Sequence, residues 1–163
     1  MRGARAGLLE TSIKKRLVDA HRHLTALEHA AAEFGSDFDL DSFEAAWRSD
    51  DPETLKGAYA VQAGYENAIN ACIKIAQELS ELEGWTPPGT EPSSIEALKL
   101  LQENGVITGK TRGALKDAQE RRSDVQHDYV NAAAREIHGA AQAVLEHAPL
   151  LLQDVAGVLH GRR

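Results

Sequence analysis

Apolar residues recur every three or four positions through most of this 163-residue chain, and that spacing limits its fold more than any other feature. It is the period of an α-helix, in which every third or fourth side chain lies on one face. Alanine is abundant, aromatic residues make up only 5% of the chain, and the β-branched runs typical of strands are missing. The sequence therefore predicts an all-α protein.

Capping and turn residues divide the first half of the chain into helices. A first helix is predicted from about Leu9 to Phe34, and a short helix around Phe43 follows an acidic loop. Asp51 and Pro52 then open a second long helix, because Asp caps an N-terminus well and Pro fits the first turn. This helix is predicted to end near Gly84.

The second half is divided in the same way. Ser93 and Glu96 have the spacing of a capping box, and Thr108 is predicted to cap the helix after it. Pro149 is expected to break or kink the last long helix, with a final helical piece at 150–160. Because most connections are short, we predict one antiparallel bundle of about five helices, with residues 1–163 forming a single domain.

The lengths of the apolar runs and the number of cysteines limit where the protein can reside and which covalent links it can form. No apolar run is long enough to span a membrane, and the apolar stretch at the N-terminus is too short for a signal peptide, so we expect a cytoplasmic protein. The single Cys72 excludes an internal disulfide and is predicted to be a small buried hydrophobe.

The net charge of −7 argues against general, charge-driven binding of nucleic acid. It leaves room for RNA contact at a local basic patch, and the acidic remainder could suit a basic protein partner. The basic patch consists of Lys110, Arg112, Lys116, Arg121 and Arg122.

Two other patterns fail as functional sites. The stretch from Gly105 to Thr111 imitates a phosphate-binding loop, but three residues separate its glycines where the motif needs four, so we interpret it as a turn and a helix cap. His21 and His23 would point to different helix faces and do not form a metal site. We expect these histidines, and also His138 and His147, to be exposed. No metal or cofactor is predicted.

The segment Arg122 to Tyr129 carries chemistry that a helical bundle does not need for packing, in the order R-x-x-x-x-H-x-Y. His127 can accept and donate a proton near neutral pH, and Arg122 can grip a phosphate. On a regular helix the two lie about 140° apart. Three arrangements bring them together: an irregular helix, an arginine that curls round, or a second copy across a twofold axis.

Polar neighbours could support this pair. Asp124 is placed to accept a hydrogen bond from the His127 ring, and Arg121 and Asn131 lie close by in sequence. A structural reading is also open, in which the segment is a solvated face and Arg122 pairs with a nearby aspartate.

Three stretches of the chain resemble the HEPN superfamily, and within it the HepT-like toxins of HEPN–nucleotidyltransferase toxin–antitoxin pairs. They are residues 43–76, residues 93–115 with their Gly-Val-Ile turn, and the R-x-x-x-x-H-x-Y segment itself. The resemblance covers a core of about residues 12–148, which leaves 149–163 as a C-terminal extension.

The resemblance implies an all-α homodimer that joins through the motif-bearing helices and cuts RNA without metal or cofactor. Arg122 would hold the scissile phosphate and His127 would move a proton, giving 2′,3′-cyclic phosphate and 5′-hydroxyl ends. It also implies a nucleotidyltransferase antitoxin of the MNT type, which transfers AMP to Tyr129. The family often has Asn after the arginine. Here Ser123 stands in its place, with a shorter reach.

The sequence thus supports a toxin-type endoribonuclease. The alternative is a non-catalytic HEPN module that serves as a dimerisation or docking partner of a nucleotidyltransferase. A small nucleotide-binding helical protein is a third, less supported reading.

Overall fold

The computed structural model describes residues 2–127 and 133–162, with the backbone alone at residues 2 and 122–127. The described residues form six helices and no strand, so the all-α prediction is confirmed. The helices are α1 (Arg2–Ala32), α2 (Leu40–Trp47), α3 (Pro52–Leu82), α4 (Ser94–Glu103), α5 (Gly109–His127) and α6 (Ala133–Gly161). The count of six is close to the predicted five, with short α2 and α4 between the long helices.

Helix α3 is the centre of the bundle and contacts all five other helices. Its longest contact is with α1, where Gly64 faces Leu27. A Cβ atom at Gly64 would lie 3.2 Å from the Cα atom of Leu27, tighter than ordinary contact, so the two backbones approach closely because position 64 has no side chain. Within the described part of the chain, no helix is long and apolar enough to cross a membrane.

The predicted caps of α3 and α4 are confirmed. A carboxylate oxygen of Asp51 accepts a hydrogen bond from the backbone N–H of Thr54 at 3.0 Å. The hydroxyl of Ser93 accepts one from the N–H of Glu96 at 3.2 Å. Both side chains thus satisfy an N–H group that has no partner inside its helix.

Helix α1 begins seven residues before the predicted start at Leu9. Its first turns pack beside the end of α3, where the Nε atom of Arg5 donates a hydrogen bond to Glu81 at 2.6 Å. The same Glu81 oxygen accepts the backbone N–H of Gly89 at 2.7 Å. The Gly89 hydrogen bond, and then Arg5, lower the pKa of Glu81 from its ordinary value of 4.5, against the opposing effect of burial.

Of the break or kink predicted at Pro149, the break is wrong, because the proline does not end the last helix. Helix α6 continues through it to Gly161. Ala148, Leu151 and Leu152 are completely buried around the proline. Packing of this apolar face stabilises the helix on both sides, which offsets the backbone hydrogen bond that proline cannot make.

His138 is buried, contrary to the prediction of an exposed residue. Its Nε2 atom donates to the backbone carbonyl of Phe38 at 2.6 Å, and the two rings stack with centroids 4.2 Å apart. Phe38 has a φ of 50°, an unusual backbone conformation for a residue with a side chain. This contact fixes the start of α6 to the turn before α2. Cys72 is buried as predicted, and burial raises the pKa of its thiol to about 12.

Candidate active site

The helix that carries the R-x-x-x-x-H motif packs antiparallel against α6. Two contacts define this direction: Thr111, in the first turn of α5, meets His147, and Arg121, ten residues later, meets Gly139. Later residues of α5 therefore contact earlier residues of α6.

The start of α5 is held by two hydrogen bonds. The hydroxyl of Thr108 accepts the backbone N–H of Thr111 at 3.1 Å, which confirms the predicted cap and turn. The Thr111 hydroxyl in turn lies 3.1 Å from Nδ1 of His147. His147 is only 5% exposed, so the prediction of a surface histidine is wrong here too. The sequence held a sign of this burial. His147 follows Val144 by three residues, which places it on the apolar face of α6.

The guanidinium of Arg121 lies directly on the backbone of Gly139, where any Cβ atom would collide with it. Arg121 could instead have paired with Asp117, one turn earlier on its own helix, as charges four residues apart often do. It makes no ion pair or hydrogen bond with any residue whose side chain is described. Its charge is therefore available to a ligand.

Arg122, Ser123, Asp124 and His127 occupy the last two turns of α5, and the helix is continuous through His127. The backbone thus sets Arg122 and His127 about 140° apart around one helix axis. Tyr129 and Asn131, also predicted at the site, lie outside the described residues. The sequence prediction that these side chains act together stays a prediction.

A polar pocket lies beside the motif, between α5 and α6, with a volume of about 300 Å³. We call it the α5–α6 pocket. Its small lining residues are Ala114, Ala118, Gly139, Ala140 and Ala143. Its polar lining is Asp117, Arg121, Gln142, Glu146 and His147. The sequence alone does not reveal this pocket, because its residues come from two helices that only the tertiary fold brings together.

Two side chains of the basic patch have partners within the fold. Arg112 donates a hydrogen bond to the side chain of Gln102 at 2.9 Å. Lys116 lies 3.9 Å from the carboxylate of Glu120 on the next turn. Arg121 is exposed and lies next to the motif. Among residues whose side chains are described, no group of three or more His, Cys, Asp or Glu side chains is arranged to hold a metal ion.

The described residues define an all-α helical bundle. A family model described as ribonuclease HepT-like matches residues 27–154, which include most of α1 and α6 and all of the helices between them. The chain belongs to the ribonuclease HepT-like family. No curated protein sequence matches it.

The fold is also similar to a solved structure, that of a tri-AMPylated Shewanella oneidensis HEPN toxin in complex with MNT antitoxin. The superposition has a TM-score of 0.68 and covers 89% of this chain and 96% of that chain, at 18% sequence identity. At this identity the likeness is one of fold.

Proposed function

We propose that this protein is a metal-independent endoribonuclease and the toxin of a toxin–antitoxin pair, with Arg122 and His127 as its catalytic residues. The observation that carries the proposal is the R-x-x-x-x-H spacing at the end of α5, within the residues that match the ribonuclease HepT-like family. An imidazole that titrates near neutral pH and a permanent guanidinium are suited to proton transfer and phosphate binding.

The proposed site is a cleft between two copies of the chain. One regular helix does not aim Arg122 and His127 at the same point, because they start about 140° apart. Helix α5 packs against α6, and its Leu115 and Ala118 are buried, whereas Asp117 and Glu120 are exposed. Pairing the motif ends of two α5 helices across a twofold axis would line one groove with both Arg–His pairs.

The reaction is an internal displacement at phosphorus. A neutral His127 accepts the proton of the ribose 2′-hydroxyl, and the 2′ oxygen attacks the adjacent phosphorus as the bond to the 5′ oxygen breaks. The second copy of His127, protonated, donates a proton to that leaving oxygen. Arg122 holds the non-bridging phosphate oxygens while negative charge develops on them. The products are a 2′,3′-cyclic phosphate and a 5′-hydroxyl.

The distribution of charge is compatible with an RNA substrate despite the net charge of −7. Residues 33–53 hold eight acidic residues and one basic residue, and the rest of the chain holds seventeen of each. The negative charge is thus concentrated in the turn after α1, in α2 and in the start of α3. The formal charges of the rest of the chain, which includes α5, sum to zero, and Arg121 is available beside the motif.

We further propose that an MNT-type nucleotidyltransferase is the antitoxin and that it inactivates the enzyme by transferring AMP to Tyr129. Tyr129 is two residues from His127 in sequence. AMP there would add bulk and negative charge next to the proton-transferring group, and would repel the RNA phosphates. The Shewanella oneidensis HEPN toxin of similar fold, which is AMPylated and bound to MNT antitoxin, supports this assignment.

The second candidate is a non-catalytic HEPN module that dimerises and docks a nucleotidyltransferase. Two observations favour it: Ser123 stands in place of the usual Asn, and two side chains of the basic patch have partners within the fold, Arg112 with Gln102 and Lys116 with Glu120. Such a module would not harm a cell that lacks the nucleotidyltransferase.

Growth of bacteria that express the protein without its partner separates the two candidates. The nuclease reading predicts that wild type arrests growth and that Arg122→Ala and His127→Ala restore it at equal protein levels. His29→Ala is the matched control, because His29 is exposed on α1, and it should remain toxic. Equal growth of wild type and both motif variants would favour the docking module.

A further inference from the structure

We propose that the α5–α6 pocket binds a guanine base of the RNA, adjacent to the phosphate held by Arg122. This site would give the nuclease a preference for cleaving next to guanosine. The inference rests on the proposed ribonuclease function for its substrate class, and on the chemistry of the pocket for the identity of the base.

The pocket is large enough for a planar ring. Its volume of about 300 Å³ is several times the roughly 30 Å³ that a water molecule occupies in the liquid. Its alanines present no bulky side chain, and the guanidinium of Arg121 lies on Gly139, so a flat ligand can enter the pocket beside Arg121. A site for a single small ion would not need this space.

The charges of the pocket oppose an anion. One guanidinium, Arg121, stands with two carboxylates, Asp117 and Glu146. Glu146 is exposed, and one of its carboxylate oxygens lies 3.7 Å from Nε2 of His147. Asp117 makes no ion pair or hydrogen bond with any described side chain. Two carboxylates with unused acceptor oxygens would repel a phosphate and call for a neutral ligand that offers N–H donors.

Guanine fits this set better than the other three bases. It offers adjacent N–H donors on one edge, which a carboxylate can accept together, and it offers the acceptors O6 and N7, to which an arginine donates. The guanidinium of Arg121 can also stack on a base as RNA-binding arginines do. Adenine and cytosine present only an amino group to the carboxylates, and uracil presents a single N–H.

His147 adds a further polar atom to the pocket wall. Its ring is more than nine-tenths buried, and Nδ1 is occupied by the hydroxyl of Thr111. Its Nε2 atom makes no hydrogen bond with any described residue. A ligand in the pocket can therefore form a hydrogen bond with this nitrogen.

The position of the pocket suits a base that flanks the cleavage site. Arg121 directly precedes Arg122. Asp117 lies five residues before Arg122, which is about 7.5 Å along the helix axis. One short RNA segment can therefore span both the pocket and the proposed phosphate site.

Cleavage of a randomised single-stranded RNA, followed by sequencing of the product ends, tests the inference. Wild type is expected to prefer guanine at one position beside the cut by about tenfold or more. The double variant Asp117→Asn with Glu146→Gln should lose this preference, because each amide replaces an acceptor oxygen with a donor. Glu120→Gln is the matched control on the same helix outside the pocket, and it should keep the preference.

A second measurement keeps the two proposals separate. The full-length Arg122→Ala protein is titrated with short RNAs that differ only in one base, and fluorescence anisotropy gives each affinity. Tighter binding of the guanine-containing RNA, lost in the added Asp117→Asn and Glu146→Gln changes, supports the pocket even if wild type cleaves nothing. Equal affinity for all four RNAs, or a cleavage preference that survives both substitutions, overturns it while leaving the nuclease proposal intact.

Discussion

The hydroxyl of Thr111 lies 3.1 Å from Nδ1 of His147, and this contact ties the first turn of α5 to α6 in a buried position. Thr111 is 2% exposed and His147 is 5% exposed. The two side chains satisfy each other where water is largely excluded, which sets the position of α5 along α6. Because the motif lies at the other end of α5, this contact also helps to determine where the motif lies along α6.

Thr111→Val should destabilise the fold, because it keeps the shape of the side chain but leaves Nδ1 of His147 buried without this partner. We expect a loss of about 1–3 kcal/mol in the free energy of unfolding, measured by urea denaturation. Thr11→Val, at an exposed position of α1, is the matched control and should change stability by less than about 0.5 kcal/mol. Equal effects of the two changes would show that the contact contributes nothing.

Gly139→Ala should stabilise the protein less than Gly157→Ala does. Both glycines lie in α6, and replacing a helical glycine with alanine is typically worth about 1 kcal/mol. A methyl group at Gly157 meets nothing within 4 Å, whereas one at Gly139 collides with the guanidinium of Arg121 and displaces it. Thermal unfolding gives both values. A gain at Gly139 as large as that at Gly157 would mean that Arg121 does not rest there.

The stability advantage of wild type over Glu81→Gln should shrink in acid. The hydrogen bond from Gly89, followed by Arg5, lowers the pKa of Glu81 from 4.5 in the folded protein, so the unfolded chain binds the proton more readily. The contribution is therefore complete above pH 4.5 and is lost as the pH falls through the lower, folded pKa. Melting temperatures of both proteins between pH 7 and pH 3 test this. A constant difference over that range would contradict it.

Incubation with the cognate nucleotidyltransferase and ATP should add AMP to Tyr129. Mass spectrometry of peptides would locate the group, and Tyr129→Phe should abolish the modification at this site. Tyr59 is the matched control, because it is an exposed tyrosine on α3 distant in sequence from the motif, and Tyr59→Phe should leave the modification unchanged. Modification that persists in Tyr129→Phe at the same level would contradict the proposed inactivation.

Local features of the fold follow from the sequence, and long-range ones do not. Asp51, Ser93 and Thr108 are predicted as caps because each bonds to a backbone N–H only three residues away. The spacing of apolar residues that predicts each helix also involves only positions three or four residues apart. His138 is different, since its partner Phe38 is one hundred residues away. Only its position on the apolar face of α6 hinted at burial.

The candidate site divides in the same way. Arg122 and His127 are predicted as site residues from their spacing and their place in the order of helices, and this assignment stays a prediction. The α5–α6 pocket is not recognisable, because Arg121 and Glu146 become neighbours only when α6 folds back along α5. Pro149 departs from prediction for a related reason: local propensity predicts a break, and tertiary packing overrides it.

The most direct test of the central claim is the rate at which purified protein cleaves single-stranded RNA in excess EDTA. We predict cleavage by wild type that leaves 5′-hydroxyl ends, and a loss of about a hundredfold or more in His127→Ala, the typical size of a general acid–base contribution. His29→Ala should cleave as wild type does, and circular dichroism should show that both variants are folded. Equal rates for His127→Ala and wild type would contradict the assignment of Arg122 and His127 as a catalytic pair.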